Sequence, residues 1–169
     1  MAVLKIRTYP DKFLKQPTKP LDNIDGQTQK MIDDMAETMY QAPGVGLAAI
    51  QAGFDQSVIV YDIAPRDEKR VLNVLINPRI IAHEGSVLSE NEGCLSVPDF
   101  RADVKRYAQV LVEGVDRDGN PLRIEADGFL SVVLQHEIDH LNGTLFIDHV
   151  SALKRQLYNR HLKKKMKKS

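Results

Sequence analysis

Two histidines and a glutamate near the C-terminal end are the first residues of this chain whose types and spacing can do chemistry. They lie in the run His136-Glu137-Ile138-Asp139-His140. Residues four apart on a helix share a face, with Cβ atoms about 5–6 Å apart, so two imidazoles can bind one metal ion. Glu137 adjoins the first histidine, where its carboxylate can accept a proton from water on the metal. We therefore predict a metal site with Glu137 as the proton-transfer residue.

The helix that carries these residues is predicted to be buried. Residues 128–141 are apolar on nearly every side of a helix, and such a helix lies in a core. The alternative is a solvated helix face with incidental histidines. Burying His, Glu and Asp side chains without partners costs several kcal/mol, and a bound metal would satisfy them. The sequence therefore favours metal binding.

The third ligand decides the class of site. A metzincin would have a histidine six residues after His140, where this chain has Phe146, and a thermolysin-like enzyme would have a glutamate well downstream. Cys94 is the strongest candidate, because a thiolate binds such metals well and Gly93 lets the backbone approach closely. On spacing alone, four other side chains stay open as the third ligand: Asp148, His149, His83 and His161.

Three segments of the sequence resemble the signature blocks of the peptide deformylase family. They are Gly44-Val45-Gly46-Leu47-Ala48-Ala49-Ile50-Gln51, Glu92-Gly93-Cys94-Leu95-Ser96 and Gln135-His136-Glu137-Ile138-Asp139-His140. The blocks occur in the family's order, and the resemblance runs over nearly the whole chain. The span between Gln51 and Cys94 has no large insertion, as in the compact bacterial class of the family.

The resemblance implies the metal ligands and the metal. Cys94, His136 and His140 would be the ligands, with water in the fourth position and Glu137 as general base and then acid. A cysteine with two histidines suits zinc. The resemblance instead implies Fe²⁺ in the cell, with Zn²⁺, Ni²⁺ or Co²⁺ as substitutes.

The resemblance also implies a substrate, the N-formylmethionine end of newly made polypeptides, and the products formate and a free amine. Attack on the formyl carbon builds negative charge on its oxygen. The side-chain amide of Gln51 and the backbone N–H of Leu95 would stabilise that charge. The residues assigned to substrate binding are Val45, Gly46, Glu92, Phe129, Val132 and Val133.

Two details qualify this substrate site. Glu92 and Arg101 are expected either to form an ion pair near Cys94 or to be solvated surface charges. The chain has Ser89-Glu90-Asn91 where the family often has an apolar residue, so the rim of the methionine pocket departs from the family pattern.

The elements that position these residues follow from periodicity. Apolar residues three and four apart predict a helix over residues 27–40. Runs of β-branched residues predict strands at 57–63 and 71–76, and Asp118-Gly119 predicts a hairpin between strands at 109–115 and 121–125.

The C-terminal half is predicted to be helical. The helix over residues 128–141 is expected to end at Gly143 in the left-handed conformation. A last helix is predicted to start at Ser151 and to dock through a stripe of apolar residues, namely Leu153, Leu157, Tyr158, Leu162 and Met166. Together these elements predict an α+β fold, with antiparallel sheets wrapped around a central buried HExxH helix and a C-terminal helix.

Length and composition limit the other possibilities. The chain has 169 residues, 43% hydrophobic and 27% charged, as expected for one catalytic domain over residues 1–169. Its apolar runs are too short to span a membrane, and its zero net charge gives no global field for DNA. The single cysteine cannot form an internal disulfide, and no signal peptide is visible. These features fit a reducing cytoplasm, and the formylmethionine substrate that the resemblance implies makes it a bacterial one.

Residues 151–169 form a basic C-terminal helix or tail, with eight Lys or Arg between Lys154 and Lys168 and no acid. It is either a solvated helix end or a surface that binds the ribosome electrostatically.

Two alternatives to a deformylase remain, an HExxH-type metallopeptidase and a structural-metal binding module that acts through this tail. In a structural site all four positions hold protein ligands, and Glu137 would have no role.

Overall fold

One antiparallel sheet and three α-helices make up the part of the chain that the computed structural model describes, residues 2–167. The helices are α1 (Gly26–Gln41), α2 (Gly128–Leu141) and α3 (Ala152–Lys167). The strands are β1 (Gly46–Ala48), β2 (Val58–Tyr61), β3 (Asn73–Cys94), β4 (Val97–Val115) and β5 (Pro121–Asp127). Short 3-10 turns lie at Lys12–Lys15, Ala49–Ala52 and Phe146–His149. The α+β class is confirmed.

The five strands pair in chain order, and every neighbouring pair is antiparallel. The predicted hairpin is confirmed, since Val115 lies opposite Pro121 and Gly119 in the turn has a φ of +85°. A positive φ in such a turn favours glycine, as the Asp-Gly pair indicated.

Strands β3 and β4 are much longer than predicted. The sequence prediction ended the first at residue 76 and began the second at residue 109, yet the two strands continue as a paired ribbon to Cys94 and Val97. Residues 81–88 of β3 are all exposed, so no alternation of apolar and polar residues marks them. In β4 the buried residues Ala102 and Val104 alternate with exposed ones, a signal that the prediction missed.

Helix α1 forms where the apolar spacing predicted it. Asp25 caps its first turn, accepting a hydrogen bond from the Thr28 backbone N–H, while the Thr28 side chain bonds back to the Asp25 N–H. Its buried side includes Met35 and Met39, which pack against strands β1 and β2.

Helix α2 spans the predicted residues and contacts all five strands. Leu134, Ile138 and Leu141 enter the core on its sheet side. The helix ends as predicted, because Gly143 adopts a φ of +77° immediately after the cap residue Asn142. The segment that carries both histidines is therefore fixed along its length by packing.

Helix α3 begins as predicted, with the Ser151 hydroxyl accepting a hydrogen bond from the Lys154 N–H. The predicted docking stripe is wrong at three of its five positions. Tyr158 is buried and Leu162 packs beside it, but the remaining three are more than half exposed, namely Leu153, Leu157 and Met166. Tyr158 contacts the ring of Phe100 and donates a hydrogen bond to the Pro98 carbonyl oxygen at 2.6 Å.

Alanine substitutions at three glycines should separate backbone strain from steric overlap. Gly143→Ala combines a positive φ with a Cβ that overlaps the carbonyl oxygen of Lys15, whereas Gly128 has a φ of +53° and open space around it. Gly26 has neither feature and is the control. We expect losses in unfolding free energy of more than about 2 kcal/mol at Gly143, about 1 kcal/mol at Gly128 and none at Gly26, measured by chemical denaturation. Equal losses for Gly143→Ala and Gly128→Ala would show that the overlap with the Lys15 carbonyl oxygen does not lower stability.

Candidate metal centre and active site

Three potential metal ligands converge between the end of β3 and the face of α2. The sulfur of Cys94 and one ring nitrogen each of His136 and His140 lie within 4.8 Å of one another. The Cys94 Sγ is 3.3 Å from the His140 Nε2. Of the side chains that spacing alone left open as the third ligand, the structure brings Cys94 to the two histidines.

The other four candidates lie elsewhere and have different partners. Asp148 pairs with Lys15 at 2.7 Å, and His149 contacts Asp139 at 3.0 Å. The ring of His83 stacks on Tyr107, and His161 lies near Tyr158. Among the described residues, none of these four belongs to the three-residue group.

The carboxylate of Glu92 orients the ring of His136. Its Nδ1 donates a hydrogen bond to the Glu92 Oε1 at 2.7 Å, which leaves the other ring nitrogen for the cluster. Burial alone would raise the pKa of Glu92, but hydrogen bonds from His136 and Arg106 outweigh it and hold this pKa at about 2. A carboxylate behind a histidine ligand fixes the ring and raises its basicity.

Arg106 connects the two segments that supply the ligands. Its buried guanidinium contacts both oxygens of Glu92 on β3 and reaches the Asp139 Oδ2 on α2 at 2.7 Å. Burial alone would lower the arginine pKa, but the two carboxylates outweigh it and raise this pKa. Of the two alternatives for Glu92 and Arg101, the ion pair does not form. Arg101 is exposed and donates to the Asn91 carbonyl oxygen at 3.1 Å, whereas Glu92 is buried.

Glu137 is enclosed beside the cluster. Its side chain is buried, and its Oε1 has no hydrogen-bond partner among the described residues. Burial raises the pKa of this carboxyl to about 7. Gly46 passes so close that an added Cβ would lie 2.5 Å from the Glu137 Oε2, which explains the glycine there.

The cluster fits a borderline or soft divalent metal. A thiol and two imidazoles meet at one point, a donor set that such metals prefer. Burial lowers the pKa of His140 and the neighbouring His136 lowers it further, so the imidazole stays neutral. Neutral imidazole is the form that binds a metal.

Gln51 is held with its amide nitrogen toward the cysteine. Its Oε1 accepts a hydrogen bond from the Ala48 N–H at 2.9 Å, while its Nε2 donates to the Ser96 hydroxyl at 3.0 Å and lies 3.6 Å from the Cys94 sulfur. This placement fixes which end of the amide faces the cluster. Leu95 follows the cysteine and borders the same cleft.

A cleft of about 880 Å³ opens onto the cluster. All six residues assigned to substrate binding border it, namely Val45, Gly46, Glu92, Phe129, Val132 and Val133. Glu92 differs from the others, because its carboxylate already accepts hydrogen bonds from His136 and Arg106. The sequence analysis missed the lining residues Pro98, Asp99 and Phe100. It also missed Arg106, which occupies a buried position in the alternation of β4.

A buried carboxyl beside three potential metal ligands, at the edge of a cleft, is an arrangement typical of metal-dependent hydrolases. Residues 3–156 match the family described as polypeptide deformylase. The chain is 54% identical to a peptide deformylase of Desulfosudis oleivorans, over 99% of this chain and 96% of that protein. It therefore belongs to the peptide deformylase family.

Solved structures agree with this assignment. A peptide deformylase from Legionella pneumophila superposes with a TM-score of 0.91 at 43% identity, covering 98% of this chain and 96% of that one. A class I type b peptide deformylase from Acinetobacter baumannii, crystallised with Met-Ala-Ser bound, gives a TM-score of 0.83 at 32% identity, covering 88% and 99%. No helix in the described part of this chain is long and apolar enough to cross a membrane.

Replacing Arg106 should lower both the unfolding free energy of the protein and its affinity for metal. Arg106→Leu leaves the buried Glu92 without its opposite charge, so we expect a loss of about 3–5 kcal/mol in unfolding free energy. Metal affinity should fall about 10–100-fold, because Glu92, the hydrogen-bond partner of His136, is no longer held in place by the arginine. The exposed Arg101 provides the control, and Arg101→Leu should change stability by less than about 0.5 kcal/mol. Denaturant titration and metal titration measure the two effects, and wild-type values in Arg106→Leu would contradict the assigned role.

Proposed function

We propose that this protein removes the N-formyl group from the N-terminal formylmethionine of newly made polypeptides and releases formate. The observation that carries the proposal is the enclosed Glu137, with a pKa of about 7, beside Cys94, His136 and His140 at the base of a cleft. Membership of the peptide deformylase family supports the same reaction. The bound Met-Ala-Ser in the Acinetobacter relative supports a methionine end in the cleft.

Glu137 would act first as general base and then as general acid. A pKa of about 7 lets its carboxylate take a proton from the attacking water and return it to the departing amine. Cys94, His136 and His140 would hold a divalent metal, which when bound supplies Lewis-acid activation of the water and the formyl carbonyl. Glu92 and Arg106 would act through His136 by fixing its ring.

Negative charge on the formyl oxygen would be stabilised by Gln51 and Leu95. The amide nitrogen of Gln51 is already aimed toward Cys94 by hydrogen bonds at both ends of its amide. The backbone N–H of Leu95, next to the cysteine, would be the second donor. Positioned donors of this kind each contribute about 10²–10³ in rate.

The methionine side chain would occupy the apolar part of the cleft. That part is formed by Val45 on one wall and by Phe129, Val132 and Val133 on α2. Val45 and Phe129 are 40% and 58% exposed, so both have apolar surface that a ligand can cover. Gly46 has no side chain and lets a peptide backbone come close to Glu137.

We further propose one catalytic domain over residues 1–169, with the sheet wrapped around α2 as its central helix. The contact of α2 with all five strands supports this arrangement. A formylmethionine substrate belongs to bacterial or organellar translation, and we therefore propose the bacterial cytoplasm as the place of action.

Release of formate from formyl-Met-Ala-Ser tests the reaction. Glu137→Ala should keep its metal but turn over at least about 10²-fold more slowly, because it lacks the proton-transfer group. Cys94→Ser should bind metal much more weakly, since a hydroxyl is a poor ligand beside a thiolate. Metal content and formate are measured on the same samples. Normal turnover by metal-loaded Glu137→Ala would remove Glu137 from the mechanism.

We propose Fe²⁺ as the metal in the cell, with Zn²⁺, Ni²⁺ or Co²⁺ able to replace it. The donor set of one thiolate and two imidazoles supports any of these ions. Protein purified without oxygen should therefore contain iron, and its activity should decay in air as the metal or Cys94 is oxidised. The nickel form is the control and should last longer. Equal lifetimes in air would count against iron.

The basic C-terminal helix is proposed to bind the ribosome. All four of Lys154, Arg160, Lys163 and Lys164 are exposed, and Lys165 pairs with Asp99 at the cleft rim. RNA phosphate attracts such a surface mainly through counterion release, so binding should weaken steeply as salt rises. Lys168 lies outside the described residues.

Neutralising this helix should reduce ribosome binding without affecting catalysis. A variant with Lys163, Lys164 and Lys167 changed to Gln should co-sediment less with ribosomes at low salt, and removal of residues 163–169 should act in the same direction. Both should hydrolyse formyl-Met-Ala-Ser almost normally, because the Lys165–Asp99 pair is exposed and contributes little. The control has the same charge change at exposed sites elsewhere, Lys5, Lys69 and Lys105 to Gln. Equal sedimentation of variant and control would make the tail a solvated helix end.

A further inference from the structure

Tyr158 joins helix α3 to the segment that follows Cys94. It is the one buried residue of this helix in the described part of the chain, and its hydroxyl donates a hydrogen bond to the Pro98 carbonyl oxygen at 2.6 Å. Burial raises the pKa of this hydroxyl to about 12, so it stays protonated and acts as a donor at neutral pH. The ring of Tyr158 contacts the ring of Phe100, with 4.9 Å between the two centroids.

Both contacts fall on residues that line the cleft. Tyr158 itself does not line it, although it joins the same apolar cluster as Cys94 and Val97. Cys94 and Val97 form the pair that closes the β3–β4 ribbon, and the contacted segment begins directly after it. This segment, called the 98–100 rim below, consists of Pro98, Asp99 and Phe100.

The backbone of the 98–100 rim has a conformation that needs support. Asp99 has a φ of +63°, a region that residues with a Cβ seldom occupy. Such a residue persists there only where neighbouring contacts fix it. The carbonyl oxygen that accepts from Tyr158 belongs to the peptide bond that leads into Asp99. A second contact from α3, the pair of Lys165 with Asp99, is exposed and contributes little.

The turn before the rim is held by other contacts. The Ser96 hydroxyl accepts a hydrogen bond from the Gln51 side chain at 3.0 Å, and the Ser96 backbone N–H lies 3.4 Å from the Cys94 sulfur. These contacts keep Leu95 in place without Tyr158. Loss of the Tyr158 hydroxyl should therefore free the rim and leave the groups proposed to act in catalysis where they are.

We propose that Tyr158 is a positioning residue, which holds the 98–100 rim in the conformation that binds the substrate. The proposal rests on the proposed deformylase function and extends its substrate site to a residue outside the cleft. Without the hydrogen bond, the peptide bond before Asp99 can rotate, and only part of the population keeps the binding conformation. Apparent affinity falls in proportion to that part.

Tyr158→Phe tests the proposal, because it removes the hydroxyl and keeps the ring. KM for formyl-Met-Ala-Ser should rise at least about threefold, since one hydrogen bond shifts such an equilibrium by about this factor. The value of kcat for metal-loaded enzyme should stay almost unchanged. A purely structural role would reduce the amount of folded enzyme, and so the apparent kcat, but not KM. Unchanged KM would overturn the proposal.

Nuclear magnetic resonance of the zinc-loaded protein tests the positioning without a substrate. In Tyr158→Phe the backbone amides of Asp99 and Phe100 should broaden through exchange between two conformations, which relaxation dispersion measures. The amides of Leu95 and Ser96 should stay as in the wild type. A rim without exchange, or exchange throughout the chain, would overturn the proposal. No formate from the wild-type protein would instead overturn the proposed function, and the amide signals would still decide the role of Tyr158.

Tyr9→Phe is the matched control. It removes another tyrosine hydroxyl that bonds to α3, but this one donates to the Asn159 Oδ1 at 2.8 Å rather than to the rim. KM and the amide signals of the rim should therefore match those of the wild type. An equal rise of KM in Tyr9→Phe and Tyr158→Phe would show a general effect of anchoring α3, and would overturn the role assigned to Tyr158.

Discussion

Arg106 lies buried in β4 with its guanidinium between Glu92 on β3 and Asp139 on α2. These two elements carry Cys94 and the two histidines, and the arginine joins them by charge. Breaking such a buried group on one side leaves an uncompensated charge, so the arrangement tolerates few alternatives. Because Glu92 also accepts the hydrogen bond from His136, the interaction that fixes the two elements also fixes a predicted metal ligand.

Burial of Glu137 raises the pKa of its carboxyl group. An exposed glutamate titrates near pH 4.5, whereas burial raises the pKa of this one to about 7. The enclosure depends on Gly46, since any side chain there would overlap the carboxylate. A buried carboxyl without a full set of hydrogen bonds costs stability. The rest of the fold offsets that cost through the apolar contacts of α2 with all five strands.

The long β3–β4 ribbon connects the sheet to one wall of the cleft. Its first part completes the sheet under α2, its end supplies Cys94, and its rim borders the cleft. The described cluster has three candidate ligands rather than four, as in catalytic metal sites and unlike closed structural ones. The three-ligand group therefore counts against a structural-metal module, and membership of the deformylase family counts against an HExxH peptidase.

The sequence by itself determined the local elements and the residue types that can do chemistry. The bounds of α2, the cap at Gly143 and the Asp118-Gly119 hairpin were predictable, because each depends on residues close together in the chain. Spacing alone left five candidates for the third ligand, and only the tertiary structure shows that Cys94 lies beside the two histidines and that Glu92 and Arg106 are partners. These contacts join residues 14 to 46 positions apart, and no local periodicity encodes such pairings. The docking stripe predicted for α3 was wrong at three positions for the same reason. Apolar spacing shows which side of a helix could pack, but not how much of the molecule lies against that side.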